Sequence, residues 1–361
     1  MKKLNNFIAY SVFLLISFFC RLKKTTINPS GILFVNLGKI GDAIISSFVF
    51  SNEKELNKFG KIGFVMEKSV EKLFENYNGS IRLFFVDKKK YKWNIFYRLS
   101  ILCELRQFNF AKVYNLSFTR ISIDDEIALI ASLNGNSYAF ENNPILTRIF
   151  GWKFDKHYTE IFERNKSLSD FENQRRILFG MGLETVSSKR KIFCRKGKVD
   201  GIPDKYFVIA PFASKRVKEW GIDNYVKLIE KLTKGLNTKA VILHSEKTKF
   251  FSRSNKNIID LCGKTSLCES SEVIKNAEFF IGNDSGLLHI AKAHNVKVFG
   301  IVGGGVWGRI YPYNSDDHAT YFFHKTDCFG CDWVCKYEVP VCLSEVKVED
   351  VWRKIENEVN G

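Results

Sequence analysis

Three short segments of the chain combine glycine with charged or hydroxyl side chains, and each follows an apolar run typical of a strand. They are Gly38 to Asp42, Ser214 to Trp220, and Asp284 to His289. In an open parallel sheet, ligands bind beyond the carboxyl ends of the strands, so these positions can reach a substrate. Cations, hydroxyls and the N–H groups at a helix start all bind phosphate, and the segments therefore favour an anionic ligand.

The first segment is a glycine turn between a strand and a helix. Gly38 and Gly41 allow a substrate to approach the backbone, and Asp42 is expected at the sheet edge near the helix start. Alternatively, Asp42 only caps the helix, where carboxylates are favoured. The segment matches neither the GxGxxG fingerprint nor the GxxxxGK[ST] loop, and no acidic residue lies about 20 positions on, which argues against a nicotinamide-dependent dehydrogenase.

The second segment follows a strand and carries three cations and a hydroxyl. Ser214 and Lys218 suit a diphosphate, and Trp220 could add an aromatic platform beside the ammonium group. The alternative is a solvated loop whose Trp220 packs on the core. The sequence of this segment alone leaves both interpretations open.

The third segment opens a helix directly after a strand and is the most informative. The backbone N–H groups of Ser285, Gly286 and Leu287 are expected to point outward at the positive end of the helix dipole. His289 lies one turn further on the same face and can add a hydrogen bond or charge. Such a site receives phosphate without a metal.

Strands and helices alternate in two series, which predicts an α/β fold with parallel, doubly wound sheets. Between about Tyr158 and Pro203 the pattern weakens into a charged connection. We predict an N-terminal segment at 1–30, one Rossmann-like domain at 31–200, a second at 201–347, and a C-terminal helix at 348–361. The expected strands are 32–37, 62–65, 83–86, 111–116, 137–140, 207–210, 240–243, 278–282 and 298–302.

Length, composition and net charge indicate the number of domains and the kinds of binding partner. With 361 residues and 45% hydrophobic content, two globular domains are expected. The net charge of +16 favours nucleic acid, a phospholipid surface or phosphorylated substrates, but no RNA-recognition, zinc-finger or helix-turn-helix pattern is present. We therefore expect no nucleic-acid partner.

Nine cysteines are too dilute for an extracellular disulfide scaffold, which favours a reducing compartment. Four of them fall in one loop at 328–342: Cys328, Cys331, Cys335 and Cys342. Their spacing allows structural zinc, although the second pair is separated by six residues rather than two. Reduced packing of the thiols is the alternative.

The N-terminus has membrane character. Residues 7–20 form an uncharged run between basic flanks, but its 14 residues fall short of the roughly 20 that cross a bilayer. No small-residue cleavage site follows, so a retained segment lying on an anionic membrane surface is favoured. The alternative is a first helix packed on the protein itself.

Together, the three segments resemble glycosyltransferase family 9, the ADP-heptose:lipopolysaccharide heptosyltransferases, in order and spacing. That family's pattern has a Gly-x-x-Gly-Asp turn (here Gly38 to Asp42), a Lys-x-Trp segment (Lys218 to Trp220) and an Asp-[Ser/Thr]-Gly-x-x-His turn (Asp284 to His289). The resemblance covers roughly 31–359. Phe212, in place of the usual glycine, and the run Gly303 to Trp307 depart from the pattern.

The resemblance implies a GT-B fold, in which the two Rossmann-like domains face each other across a cleft, with an N-terminal acceptor domain and a C-terminal nucleotide-sugar domain. Asp42 would be the general base. The donor diphosphate would be bound by Ser214, Lys218, Asp284 and the 285–287 backbone with help from His289, and Glu246 would contact the ribose. Transfer would be inverting and metal-independent, with no cofactor.

The resemblance also implies transfer of a heptose, or a related sugar, to a lipopolysaccharide core or lipid A-type acceptor at the cytoplasmic face of the inner membrane. Two other hypotheses stay open. One is a GT-B transferase with another donor, such as a UDP-hexose. The other is a non-catalytic binder of nucleotides or anionic lipids, which predicts salt-sensitive binding without turnover.

Overall fold

The computed structural model of the protein describes residues 2–22, 28–142, 153–195, 197, 199–248, 256–313 and 318–360. Residues 23–27, within the predicted N-terminal segment, lie outside the described ranges. The chain divides into two compact units. Unit 1 comprises Met1–Glu71, Tyr77–Asn165 and Asn173–Lys189, and unit 2 comprises Lys72–Asn76, Lys166–Glu172 and Arg190–Gly361. The boundary predicted after residue 200 therefore falls inside unit 2.

Unit 1 is built on one parallel sheet with the strand order β3-β2-β1-β4-β5-β6. The strands are β1 (Ile32–Asn36), β2 (Ile62–Glu67), β3 (Ile81–Val86), β4 (Lys112–Asn115), β5 (Asn136–Phe140) and β6 (Glu160–Phe162). The α-helices are α1 (Lys2–Leu22), α2 (Ile40–Ser46), α3 (Glu53–Leu56), α4 (Lys88–Trp93), α5 (Ile95–Phe108) and α6 (Ser122–Ala131), followed by α7 (Asp170–Gly180), which begins in unit 2.

Unit 2 contains a second parallel sheet, with the order β12-β11-β10-β7-β8-β9. Its strands are β7 (Tyr206–Ala210), β8 (Lys239–Ile242), β9 (Ile258–Asp260), β10 (Phe279–Asn283), β11 (Lys297–Ile301) and β12 (Ala319–Phe322). Its helices are α8 (Ile222–Gly235), α9 (Leu267–Lys275), α10 (Gly286–Ala293), α11 (Val341–Ser344) and α12 (Val348–Asn360). Short 3-10 helices occupy Ser47–Asn52, Asn57–Phe59, Lys68–Phe74, Asp155–His157 and Arg216–Lys218.

Both sheets confirm the predicted doubly wound α/β class. The strands at their centres, β1, β7 and β10, are buried at every position, as expected of parallel strands covered on both faces. In each sheet the order in which strands are added reverses in the middle, between β1 and β4 in unit 1 and between β7 and β10 in unit 2. Ligands of such sheets bind at this switch point. The first segment follows β1, and the other two follow β7 and β10.

Local capping explains several helix starts. The Asp87 and Asn94 side chains accept the N–H groups of Lys90 and Tyr97 at the starts of α4 and α5. Ser266 and Glu269 form the capping box that begins α9.

The N-terminal helix α1 packs one face on unit 1. Tyr10, Phe13 and Ile16 join its hydrophobic core, and the Tyr10 hydroxyl bonds His157 Nε2 at 2.7 Å. The opposite face leaves Phe18 and Phe19 61% and 60% exposed. The alternative of a first helix packed on the protein is therefore confirmed, and the helix still presents an exposed apolar face. Contact of this face with a membrane surface stays a prediction. Among the described helices, none has the length and apolar character to cross a membrane.

Candidate functional site

The side chain of Asn283 joins the elements that meet at the switch point of unit 2. It is the last residue of β10 and fully buried. Its Nδ2 donates to Pro211 O at 2.6 Å, and its Oδ1 accepts Trp220 N–H at 3.2 Å and Tyr225 O–H at 2.9 Å. The loop after β7 is thereby fixed against the end of β10, where Asp284 follows.

Asp284 is the centre of a buried, hydrogen-bonded cluster. Its Oδ2 accepts Lys218 Nζ at 2.6 Å and Trp333 Nε1 at 3.1 Å, and its Oδ1 accepts Tyr311 O–H at 2.9 Å. Burial alone would raise the pKa of Asp284, but the Lys218 ammonium group and these hydrogen bonds outweigh it and hold the pKa below its usual value. Asp284 is therefore ionised, and its charge fixes Lys218 in place.

The ring of His289 has a partner on each nitrogen. Burial lowers the pKa of His289 to about 3, so the ring is neutral near pH 7 and carries one N–H. Because Tyr311 donates its proton to Asp284, the contact of 3.2 Å between Nε2 and Tyr311 requires Nε2–H to be the donor. Nδ1 then accepts the hydroxyl of Tyr313. His289 is 5% exposed and connects to Asp284 through Tyr311.

The start of α10 presents groups that can bind an anion. Ser285 is the N-cap residue, and the helix runs from Gly286 to Ala293. Ser285 Oγ is shielded from solvent and has no hydrogen-bond partner among the described residues. The backbone N–H groups at the helix start add to this hydroxyl, as an anion site requires.

In the loop after β7, Lys218 and Trp220 have different roles. Lys218 reaches Asp284 and keeps 18% of its side chain exposed. Trp220 is buried, donates Nε1 to Val346 O at 2.8 Å and packs edge-on against Tyr225. The alternative of a core tryptophan is therefore correct, and an aromatic platform at Trp220 is wrong. Ser214 lies in the same loop and is exposed.

Trp333 belongs to the site but was not predicted from the sequence. It comes from the cysteine-bearing loop, and Lys218 Nζ lies 5.4 Å from its ring centroid. Asp332 and Trp333 both adopt left-handed backbone conformations, which cost about 1–2 kcal/mol for residues with a side chain. A Cβ atom on Gly305 would lie 2.4 Å from the Trp333 ring. The glycine run at 303–305, which departs from the family pattern, is therefore the sequence feature that allows Trp333 to pack closely here.

In unit 1, Asp42 lies in the first turn of α2, just beyond β1. Its Oδ2 accepts Lys39 N–H at 2.9 Å, and Asn36 Oδ1 accepts Gly38 N–H at 2.9 Å. A Cβ atom on Gly38 would lie 2.2 Å from Asp42 Cβ, so glycine is required for this position of the carboxylate. Asp42 is half-buried. The helix-capping role is present, and it leaves the carboxylate accessible for a second role.

Glu246 lies in the loop that follows β8 and is exposed. A Cβ atom on Gly263 would lie 3.0 Å from Glu246 C and 2.6 Å from Lys247 N, so this glycine allows the two loops to approach. Near the ends of β7 and β8, the rings of Phe212 and His244 lie 4.5 Å apart. These residues form a semi-exposed aromatic and acidic edge on the β8 side of unit 2.

The four cysteines of the 328–342 loop are free thiols. Burial raises the pKa of Cys331 and of Cys342, and the neighbouring thiols of the loop raise it further. Within the described ranges, no three Cys, His, Asp or Glu side chains are grouped so as to hold a metal ion.

Comparison with known proteins agrees with the predicted resemblance. Residues 167–331 match the sequence model of glycosyltransferase family 9 (heptosyltransferase). None of the curated proteins compared with the sequence matches it.

Three solved structures resemble the chain over most of its length. A glycosyltransferase family 9 protein from Veillonella parvula is 16% identical with a TM-score of 0.70, covering 94% of this chain and 99% of that one. E. coli ADP-heptose LPS heptosyltransferase II is 14% identical with a TM-score of 0.63, covering 91% and 98%. E. coli heptosyltransferase WaaC with ADP-2-deoxy-2-fluoro heptose is 15% identical with a TM-score of 0.64, covering 91% and 99%.

At these identities the structural similarity establishes the fold, and it confirms the predicted GT-B class. The matched range 167–331 includes Lys218, Asp284 and Ser285. Of the residues that hydrogen-bond Asp284, only Trp333 lies outside this range. Residues 167–331 are therefore similar to glycosyltransferase family 9, and the chain as a whole has the GT-B fold.

Proposed function

We propose that the protein is an inverting, metal-independent heptosyltransferase that moves a heptose, or a related sugar, from a nucleotide diphosphate donor to a lipopolysaccharide core or lipid A-type acceptor. The observation that carries this proposal is the Lys218–Asp284 pair beside the start of α10, with the unpartnered hydroxyl of Ser285 next to it. Support also comes from the similar structures that were determined with ADP and with an ADP-heptose analogue.

In this proposal the diphosphate binds Lys218, Ser285 Oγ and the N–H groups of Gly286 and Leu287, with Ser214 at the loop. These donors stabilise the negative charge that grows on the diphosphate as the glycosidic C–O bond breaks. Asp284 does not contact the anion, since its ionised carboxylate is negatively charged and can only accept hydrogen bonds. It orients Lys218 instead. No cofactor is required, because a fixed cation and a helix start perform the work of a metal ion.

His289 acts by position rather than by charge. Its ring is buried and holds Tyr311, which in turn holds Asp284. The sequence-based expectation that His289 assists the diphosphate is therefore refined, and the help is transmitted through Tyr311 and Asp284 to Lys218.

Asp42 is the proposed general base. It accepts the proton of the acceptor hydroxyl while the oxygen attacks the anomeric carbon, and the bonding electrons of the broken C–O bond leave with the nucleoside diphosphate. A single displacement of this kind inverts the anomeric configuration. The fixed Gly38 turn holds the carboxylate at the end of β1, where a substrate can reach it.

The nucleoside is proposed to lie at the β8 side of the site. Glu246 accepts hydrogen bonds from the ribose hydroxyls, and the Phe212 and His244 rings offer an aromatic edge for the base. Phe212 thereby takes a role where the family pattern has glycine.

We further propose that the protein works at the cytoplasmic face of the inner membrane and associates with it peripherally through the exposed face of α1. A net charge of +16 favours an anionic membrane surface. A lipid-linked acceptor would be found there.

The test is product formation from a panel of ADP-heptose, ADP-hexoses and UDP-hexoses with a lipid-linked core acceptor, in buffer containing EDTA. The proposal predicts turnover with ADP-heptose that EDTA does not abolish. Preferred turnover with a UDP-hexose would support the alternative donor, and donor binding without any turnover would support a non-catalytic binder. Zinc analysis of the purified protein, run in parallel, decides the state of the cysteine loop.

A further inference from the structure

A second apolar surface lies on α4 and α5 of unit 1. Trp93 and Phe96 are 76% and 82% exposed, the highest exposures among the large hydrophobic side chains described, and two exposed aliphatic neighbours extend them. Exposed aromatic clusters of this kind mark interaction sites on soluble domains. We define the α4–α5 surface as Trp93, Ile95, Phe96 and Leu99.

The charge around this surface has a single sign. The stretch 88–103 contains four lysines and one arginine and no acidic residue. Arg98 is paired with the buried Glu126, whereas Lys89, Lys90 and Lys92 are exposed. Large aromatic side chains flanked by lysines are the residues that lie at a bilayer interface, with the rings at the headgroup level and the cations on anionic lipid.

Helix α1 presents a similar exposed apolar face on unit 1, beside the same helix α6 that α5 contacts. Both α1 and α5 contact α6, whose residues 124–131 are all buried. We define the outer face of α1 as Ile8, Leu14, Leu15, Phe18 and Phe19, all exposed. Residues 2–22 include no acidic residue. Two lysines lie beside this helix, with Lys153 Nζ 5.9 Å and Lys156 Nζ 5.6 Å from the Tyr10 ring centroid.

The α4–α5 surface begins at the edge of the sheet that holds Asp42. Helix α4 starts two residues after β3 ends. Lys88 Nζ donates to Leu37 O at 2.7 Å, and Leu37 directly precedes Gly38. The basic start of α4 is thus anchored to the glycine turn.

We propose that the α4–α5 surface and the outer face of α1 form one membrane-contacting surface, which binds bilayers containing anionic phospholipid and brings the Gly38–Asp42 edge of unit 1 to the headgroups. This inference rests on the proposed function in one respect only, namely that the acceptor is located at the membrane. Binding to lipid is independent of any donor or acceptor.

The experiment is co-sedimentation of the full chain with vesicles of phosphatidylcholine and phosphatidylglycerol at 7:3, compared with phosphatidylcholine alone. Two variants test the α4–α5 surface: W93S/F96S, and K89A/K90A/K92A. Their matched controls are F179S, an exposed phenylalanine of unit 1 outside this surface, and K227A/K234A/K239A, exposed lysines of unit 2. The variant F18S/F19S tests α1.

We expect the wild type to bind the anionic vesicles, more weakly as salt rises. The partition coefficient of K89A/K90A/K92A should fall by about a hundredfold, because each of the three surface cations contributes a factor of roughly ten or less to binding. The W93S/F96S and F18S/F19S variants should each lose about tenfold or more. Both control variants should match the wild type.

If W93S/F96S and K89A/K90A/K92A both bind vesicles like the wild type, the inference is overturned. This holds even if F18S/F19S abolishes binding, because α1 alone would then bind the membrane. Equal binding to both vesicle types would overturn it as well. If lipid binding follows the prediction while no sugar is transferred, the proposed function fails and this inference stands.

Discussion

The Asp284 cluster of unit 2 and the Asp42 turn of unit 1 hold their carboxylates in opposite ways. Asp284 is 6% exposed and accepts hydrogen bonds from lysine, tyrosine and tryptophan. Asp42 is half-buried and held chiefly by one backbone N–H and by the close approach of Gly38. A buried carboxylate whose oxygens accept three hydrogen bonds is suited to orient its neighbours, whereas an accessible one can accept a proton. Our proposal that Asp284 positions Lys218 and that Asp42 is the general base rests on this difference.

The largest expected effect separates these roles at Asp42. Asp42→Ala should lower the transfer rate by about a hundredfold to ten-thousandfold, the range for loss of a general base. The affinity for the donor should stay close to that of the wild type, and the melting temperature should fall by only a few degrees, because the carboxylate also accepts Lys39 N–H at the start of α2. Steady-state kinetics and donor titration check this, with Asp223→Ala, an exposed first-turn aspartate of α8, as the control. Full activity of Asp42→Ala would show that Asp42 is not the general base.

The reverse pattern is expected at the Lys218–Asp284 pair. Lys218→Met leaves a buried carboxylate without its cation and should cost about 3–5 kcal/mol of unfolding free energy, together with loss of donor binding. The double variant Lys218→Met/Asp284→Asn removes both charges and keeps a side-chain acceptor for Tyr311, so it should recover part of the stability and none of the binding. Denaturant unfolding and calorimetric titration measure the two. Donor binding retained in the double variant would contradict the role of Lys218.

Acid should destabilise the cluster through His289. Its folded pKa of about 3 lies below the unfolded value of about 6.5, so the unfolded chain binds the additional proton between these values. Stability is therefore complete above about pH 6.5 and falls as the pH decreases toward 3, by about 1.4 kcal/mol per pH unit at most. His289→Gln should lose this part of the pH dependence, measured as unfolding free energy from pH 7 to pH 4. The exposed His324→Gln should keep it.

The smallest effect is expected at Trp333. Trp333→Phe keeps a ring beside Lys218 and removes the hydrogen bond to Asp284, which contributes about 1 kcal/mol. The KM for the donor should rise several-fold with little change in kcat. Trp333→Leu, which removes the ring as well, should raise it further, and Trp352→Phe on α12 should leave it unchanged. A lower kcat at constant KM would show that Trp333 does not act on donor binding.

The same comparison shows what the sequence could predict. The Gly38–Asp42 turn was located correctly between a strand and a helix, since a strand end, a glycine and a helix start follow from the local sequence pattern. The chain also alternates strongly enough to predict both sheets. The strands β6, β9 and β12 were not predicted, because short edge strands carry little apolar pattern.

The contacts that complete the Asp284 cluster were beyond such reasoning. Trp333 and Tyr311 reach Asp284 from 49 and 27 positions away, and nothing in their local sequence specifies that partner. Trp220 shows the converse. Its position beside Lys218 suggested a ligand platform, but burial against Tyr225 and Val346 made it part of the core.

We propose that unit 2 holds the donor diphosphate at the start of α10, and a crystal structure of the chain with ADP-heptose examines this contact. We expect diphosphate oxygens within hydrogen-bond distance of Lys218 Nζ, Ser285 Oγ and the N–H groups of Gly286 and Leu287. A diphosphate bound elsewhere, with Ser285 Oγ still unpartnered, would contradict it.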